Sequence, residues 1–275
     1  KKWIKDHFAE ADIYGETRFE SLPEISTRAI RNFNKEEYKR LVKEYCYQDK
    51  DKDDDESFIK NLQKTLNPKG QPERFKNYHK YVCIVKADGD RVGKYIKSID
   101  SDYEKNLSDL SRSLYDWGIE SARLITDYAG VPVYIGGDDV LFLAPVVGKN
   151  EQTILELARD LNKSFERNFE VLPVRIDKED NVPIKPTLSF GISITYYKYP
   201  LYEALEKADE LLYKAKETRN TCSVSLLKHS GSSFDISISN DENDKNSEAF
   251  QKVNQFFVDD QSFVSSIMHH FRENE

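Results

Sequence analysis

Methionine is the residue type that this sequence most lacks, because Met268 is the only one among 275 residues. With no methionine and no signal-peptide pattern at its start, we expect the chain to be part of a longer protein. Cysteine is scarce too: Cys46, Cys83 and Cys222 lie far apart and form no CxxC pair. This spacing excludes a zinc ribbon and a disulfide framework, and it favours a reducing, cytoplasmic location.

Long apolar runs and a positive net charge are also missing. No apolar run approaches the roughly 20 residues that span a bilayer, so we expect no membrane partner. The net charge of −8 argues against a protein that binds nucleic acid over its whole surface. The five histidines form no spaced metal cluster, and we interpret the adjacent His269 and His270 as surface residues.

One acidic segment has the D-x-D-x-D opening of a calcium loop: DKDKDDDES, which starts at Asp49 and ends at Ser57. A calcium loop needs glycine at its sixth position and glutamate at its twelfth. Asp54 and Lys60 occupy those positions here. We therefore interpret the segment as a solvated acidic loop.

Apolar residues are abundant enough for a sizeable core, at 38% of the chain with 15 Phe and 16 Tyr. Over residues 81–230 the patterns predict strand, helix, strand, strand, helix, strand, helix and strand. The first six elements follow the split βαβ, or ferredoxin-like, order. We predict an α+β fold with crossover helices on one face of a mixed sheet, which leaves the other face free for a ligand or partner.

Three domains follow from this pattern. A helical or irregular segment is predicted at residues 1–78, and the ferredoxin-like domain at 79–239. A linker and the start of a C-terminal helical region are predicted at 240–275.

The stretch YIGGDDVL, residues 134–141, admits two interpretations. Glycine and aspartate suit a tight hairpin turn. Alternatively, Asp138 and Asp139 lie at a hairpin tip beside the end of the first strand, where Asp88 follows an apolar run. Three carboxylates held this close repel one another and need a cation, and all-oxygen ligands suit Mg²⁺ or Mn²⁺.

Two such ions support in-line attack on a phosphate, because one activates the attacking hydroxyl and the other neutralises the leaving pyrophosphate. Gly89, Gly136 and Gly137 would let a triphosphate approach the backbone. The competing interpretation is that DGD at 88–90 and GGDD at 136–139 are two unrelated turns. The predicted topology favours an active site, because it places both motifs at one edge of the sheet.

Five stretches together carry a family resemblance. They are GETRFESLPEI at Gly15–Ile25, KADGDRVGKYI from Lys86, YIGGDDVLFLAP from Tyr134, TLSFGISI from Thr187 and ALEKADELLYKAKETRNTCSVSLLKHSG from Ala204. These stretches resemble the large polymerase-like subunit, with its palm and GGDD motif, of type III CRISPR effector complexes, especially the Cmr (type III-B) kind. Individually the motifs also resemble GGDEF nucleotide cyclases.

The resemblance implies a palm that makes cyclic oligoadenylate from ATP, within an antiviral complex of other subunits, crRNA and target RNA. It implies two metal ions at Asp88, Asp138 and Asp139, with the backbone of Gly89 completing a metal shell. It implies nucleotide or phosphate contacts by Lys94, Ser189, Gly191, Lys216 and Arg219. The family's zinc-binding cysteine cluster, HD nuclease domain and first palm have no counterpart in these 275 residues. A stand-alone cyclic-dinucleotide cyclase and a catalytically silent scaffold remain as alternatives.

Overall fold

The structure of the chain is a computed structural model that describes residues 20–47, 54–177, 179, 181–227, 233–241 and 247–258. Its strands are β1 (Tyr81–Asp90), β2 (Val131–Gly136), β3 (Asp139–Pro145), β4 (Thr187–Tyr196), β5 (Thr221–Leu227) and β6 (Ser233–Ser239). Its α-helices are α1 (Leu22–Ser26), α2 (Lys35–Tyr47), α3 (Asp54–Leu66), α4 (Val92–Lys97), α5 (Tyr103–Tyr128), α6 (Ile154–Glu170), α7 (Leu201–Thr218) and α8 (Ser247–Val258). None of the helices in these ranges has the length and apolar character that a bilayer span requires.

The six strands form one mixed sheet in the order β2-β3-β1-β4-β5-β6. The central strand β1 pairs antiparallel with β3 and β4, whereas β4 pairs parallel with β5. The predicted α+β class and the predicted position of the first strand beside the hairpin are therefore confirmed. β1 extends beyond the apolar run that Asp88 follows, because Asp88, Gly89 and Asp90 continue the ladder with β4.

One face of the sheet is covered by α5 and α6, which bury the main core. Alternate residues of β1, Cys83 and Val85 among them, point into this core because side chains alternate along a strand. Trp117 of α5 and Phe165 of α6 meet edge to face there, with ring centroids 4.9 Å apart. These two helices are the crossovers that the sequence pattern predicts on this face.

The opposite face is covered by α7 and α1, so the expectation of a free face is wrong. The apolar cluster on this face contains Ile25, Val82, Ile84, Ala204 and Ala208. The helix α7 lies very close to the sheet: a Cβ at Gly191 of β4 would be 2.1 Å from the carbonyl oxygen of Ala208. Helical periodicity reveals which stripe of α7 is buried, but it does not reveal which face of the sheet that stripe covers.

The helices before the sheet form a smaller core of their own. It contains Ile30, Tyr38, Leu41, Val42, Phe58, Ile59, Leu62, Leu66, Phe75 and Tyr197. Tyr197, which follows β4, connects this core to the sheet. The predicted domain boundaries, near residues 78 and 239, stay predictions.

Several sequence expectations fall outside the described residues, or partly so. Residues 15–19, 48–53 and 268–270 are not among the described ranges. Within the segment interpreted as an acidic loop, residues 54–57 are helical and start α3. Cys83 and Cys222 are buried free thiols, as the absence of a disulfide framework predicts for this pair.

Candidate active site

The candidate site forms at one edge of the sheet, where the end of β1 meets the turn between β2 and β3. Gly137 and Asp138 form that turn, and Gly137 has a φ of 64°, which glycine adopts without steric cost. The antiparallel register of β1 and β3 carries Asp139 to the level of Asp88. Two motifs that are distant in the sequence are thereby brought to one place.

Asp88, Asp138 and Asp139 form a carboxylate triad. Each offers one oxygen atom, and the three oxygens lie within 4.8 Å of one another. Asp88 and Asp138 are partly buried, whereas Asp139 is exposed. This geometry matches the predicted convergence of DGD and GGDD, and the catalytic role of the three residues stays a prediction.

Gly89 is the residue that allows this close approach. A Cβ atom at this position would lie 2.7 Å from both Cβ and Oδ2 of Asp138, and 2.7 Å from Cγ2 of Val92. Real Cβ atoms do not come this close to other heavy atoms, so any other residue would push the turn away from β1. Close packing against the Asp138 turn therefore explains why glycine stands at the centre of DGD, whether or not a ligand binds there.

The electrostatics of the triad favour a bound cation. Partial desolvation within the site raises the pKa of Asp139 to about 6, although the residue is exposed, and the hydrogen bond and negative charge of Asp88 and the charge of Asp138 act in the same direction. The pKa of Asp138 is also raised, first by burial and then by the charge of Asp88, although its own backbone hydrogen bond acts in the opposite direction. A divalent cation with oxygen ligands relieves this repulsion, so the residues fit the predicted Mg²⁺ or Mn²⁺.

Lys216, from the last turn of α7, enters the same site. Its ammonium group pairs with Asp88, donates a hydrogen bond of 2.8 Å to the carbonyl oxygen of Gly89, and lies 3.3 Å from Oδ1 of Asp90. It thus contacts two of the groups that were expected to hold a metal ion, the Asp88 carboxylate and the Gly89 carbonyl. A cation at the C-terminal end of a helix is also favoured by the helix dipole.

Asp90 is a member of the site that sequence reasoning did not single out. Its side chain is buried, with 2% exposure, and its Oδ2 accepts three hydrogen bonds. The donors are Oγ1 of Thr187 at 3.0 Å, Oγ of Ser189 at 2.8 Å and the backbone N–H of Asn220 at 2.8 Å. The spacing of DGD could have indicated this residue. Residues two apart on a strand share a face, so Asp90 points to the same side of the sheet as Asp88.

The other predicted contact residues take different positions. Lys94 pairs with Asp177 at 2.6 Å and with Glu179 at 3.6 Å. Ser189 is fully buried and reaches the site through Asp90. Gly191 lies beneath α7, so its steric role is to admit that helix.

Arg219 and Gly136 lie at the ends of the elements that border the triad. Arg219 caps α7, with φ 62° and ψ 163°, and its side chain is exposed. Gly136 is the last residue of β2, and a Cβ there would lie 2.3 Å from the hydroxyl oxygen of Tyr134. Both residues adjoin the site through their backbone positions.

A family model describes the region that contains this site. The model of Cas10/Cmr2, second palm domain, matches residues 81–223. A protein of Pyrococcus furiosus, CRISPR system Cmr subunit Cmr2, is 33% identical in an alignment of 211 positions that covers 66% of this chain. The chain spans only 22% of that relative's length.

Type III CRISPR proteins and GGDEF-domain proteins are among the solved structures that this chain is similar to. The Csm1-Csm4 cassette in complex with AMPPNP is 24% identical with a TM-score of 0.39, covering 52% of this chain and 20% of that chain. A chain of the type III-B Cmr-beta structure in the apo state is 13% identical, with a TM-score of 0.42. The match covers 80% of this chain and 34% of that chain. The GGDEF domain of DgcB from Caulobacter crescentus, in complex with c-di-GMP, is 13% identical, with a TM-score of 0.37. The match covers 52% of this chain and 77% of that chain.

Proposed function

This chain belongs to the Cas10/Cmr2 family through its second palm domain, and from that premise we propose that it is a metal-dependent nucleotidyltransferase that makes cyclic oligoadenylate from ATP. The observation that carries the proposal is the triad of Asp88, Asp138 and Asp139, whose oxygens lie within 4.8 Å of one another. Crowded carboxylates can hold the metal ions that phosphoryl transfer uses, and the glycine turn beside them leaves room for phosphate groups.

We assign the metal ligands to this triad and to the backbone carbonyl of Gly89. Two Mg²⁺ or Mn²⁺ ions bound there would supply activation of the attacking hydroxyl and charge neutralisation at the leaving pyrophosphate. The residues themselves fix the geometry: Gly89 keeps the Asp138 turn against β1, and the sheet holds Asp88 in line with it. A rigid ligand set of this kind limits the reorganisation that transfer would otherwise need.

Lys216 and Arg219 are assigned to the triphosphate. The ammonium of Lys216 is already beside the triad, at 2.8 Å from the Gly89 carbonyl oxygen. A lysine there can bind phosphate oxygens as a point charge, and an exposed arginine three residues later can bind them in a bidentate manner. The backbone at Gly136 and Gly137 gives the phosphates room to approach the turn. Lys94 and Ser189 are retained only as outer residues, because Lys94 pairs with Asp177 and Glu179 rather than with the triad, and Ser189 reaches the site only through Asp90.

The relative named as a Cmr subunit supports a setting within a type III CRISPR effector complex. We therefore propose that other subunits, crRNA and target RNA are partners of this protein and that the RNA controls the reaction. ATP is the proposed substrate.

The test uses the effector complex assembled with this protein and its crRNA. Target RNA and Mg²⁺ are added with ATP or with GTP, and the products are separated by chromatography. We expect cyclic oligoadenylate from ATP, and a loss of at least about a hundredfold in the Asp138→Ala, Asp139→Ala variant, because metal assistance is removed. Assembly and RNA binding should be unchanged in that variant.

Each alternative has its own outcome in this experiment. A cyclic dinucleotide made from GTP would indicate a stand-alone type of cyclase. Unchanged product from a folded double variant would refute a catalytic triad, and absence of any product from the wild-type complex would favour a scaffold. Asp116→Asn, at an exposed position on α5, is the control for the loss of an aspartate charge outside the site.

A further inference from the structure

Asp90 has an unusual environment for an aspartate. It is 2% exposed, and a buried carboxylate is costly unless its oxygens are paired. One oxygen, Oδ2, accepts all three hydrogen bonds, from Thr187, Ser189 and the backbone of Asn220. The other oxygen, Oδ1, accepts no hydrogen bond from the described residues, but it lies 3.3 Å from the ammonium nitrogen of Lys216. The two oxygens therefore have separate tasks.

The first task concerns Lys216. Its ammonium is shared by Asp88, the Gly89 carbonyl oxygen and Oδ1 of Asp90. Lys216 cannot keep all three contacts when Asp88 and Gly89 bind a cation, because like charges repel. Oδ1 of Asp90 is then the contact that remains, and it keeps the ammonium at the edge of the triad.

The second task concerns the turn between α7 and β5. Arg219 has φ 62° and ψ 163°, a combination that residues other than glycine rarely adopt, and Asn220 also has a positive φ of 45°. Such a backbone persists only where the surroundings hold it. Oδ2 of Asp90 accepts the Asn220 N–H, and the Asn220 side chain accepts a hydrogen bond of 3.1 Å from Asn162 of α6.

We infer that Asp90 is a positioning residue that sets the place of both cationic side chains of the site, Lys216 directly and Arg219 through the turn. This inference rests on the proposed function, in which Lys216 and Arg219 bind triphosphate. It assigns to the second aspartate of DGD a role that differs from that of the first. Asp88 binds the metal, and Asp90 orders the side chains that bind phosphate.

Asp90→Asn tests the direct part of this inference. The amide oxygen can keep the three hydrogen bonds of Oδ2, while the amide nitrogen replaces the oxygen that faces Lys216. Thr187→Val is the matched control, because it removes one hydrogen bond to the same carboxylate and leaves its charge intact. Each variant removes one polar contact of the Asp90 side chain, so a purely structural role of Asp90 predicts the same effect in both.

The measurement is calorimetric binding of AMPPNP with Mg²⁺ to the assembled complex, for wild type, Asp90→Asn, Lys216→Met, the double variant and Thr187→Val. We expect Asp90→Asn to weaken binding about tenfold, since a contact with a charged group is lost. In the Lys216→Met background the same change should weaken binding by less than about twofold, because Asp90 acts through Lys216. Thr187→Val should leave binding unchanged.

A full tenfold effect of Asp90→Asn in the Lys216→Met background would overturn the inference, as would equal effects of Asp90→Asn and Thr187→Val. Binding is measured without turnover, so a wild-type complex that binds AMPPNP but makes no cyclic oligoadenylate would refute the proposed function alone. Crystal structures with Mn²⁺ and no nucleotide give an independent measurement. Lys216 should stay beside residue 90 in wild type and turn away in Asp90→Asn, and the same position in both would also overturn the inference.

Discussion

Replacing Asp139 by Asn should stabilise the metal-free protein at neutral pH, although Asp139 is assigned to the active site. Partial desolvation and charge crowding both disfavour its ionised carboxylate in the folded state, and the crowding can be worked out from distances. The carboxylate of Asp139 lies within 4.8 Å of those of Asp88 and Asp138. An asparagine amide removes this repulsion, and it can also donate a hydrogen bond to Asp88, which an ionised aspartate cannot.

The magnitude follows from the distances. At 4.8 Å two unit charges in a water-like dielectric interact by about 0.9 kcal/mol, so two carboxylate neighbours contribute about 1.7 kcal/mol of repulsion. The ammonium of Lys216 offsets part of this repulsion, and the exposure of Asp139 prevents a larger value. We expect a gain of about 1 kcal/mol, which for a domain of this size raises the melting temperature by about 2–4 °C.

The gain should depend on pH in a defined direction. The pKa of Asp139 rises from an ordinary 3.8 to about 6 on folding, so the folded protein binds the proton more tightly than the unfolded chain. Below pH 3.8 both states are protonated and Asp139 carries no repulsion. The wild-type protein therefore loses stability as pH rises from 3.8 through about 6. Asp139→Asn avoids this loss, because asparagine does not ionise.

The assay is thermal and urea denaturation in EDTA between pH 4 and pH 8, repeated with Mn²⁺. Asp116→Asn serves as the control for removing an exposed aspartate elsewhere in the same domain. With Mn²⁺ the wild-type protein should be more stable than Asp139→Asn, because it offers the metal one more carboxylate. A variant that is less stable than wild type in EDTA at pH 8, or whose gain is the same at every pH, would refute the account of the triad as a crowded cation site.

Two further predictions concern the scaffold. Gly191→Ala should destabilise the protein by about 1–3 kcal/mol, because its Cβ would lie 2.1 Å from the Ala208 carbonyl oxygen. Gly93→Ala is the control: there is open space around its Cβ, so it should be neutral or slightly stabilising. Equal urea midpoints for the two variants would contradict the close packing of α7. His79 is buried, which lowers its pKa from 6.5 to about 3, so its contribution to stability is intact above pH 6.5 and lost as pH falls toward 3. NMR at pH 5 should show this imidazole uncharged, and a protonated ring there would show that the site is open to water.

The sequence alone determined the order and type of the main elements and the identity of the triad. Strand and helix periodicity are local properties, and the motifs DGD and GGDD stand at strand ends, where the ferredoxin-like order brings them to one edge. The prediction of that edge, and of the family, is confirmed. The roles of Asp88, Asp138 and Asp139 in catalysis stay predictions that the experiments above address.

Tertiary structure decided what surrounds the triad. The sequence pattern shows which stripe of α7 is apolar, but the face that α7 covers depends on packing against Gly191 and on the parallel pairing of β5 with β4. That placement brings Lys216 to the triad and buries Asp90. Lys94, equally basic and close to the motif in sequence, pairs with Asp177 instead. Charged side chains are long and can reach many partners, so their contacts depend on the final distances between elements rather than on any local pattern.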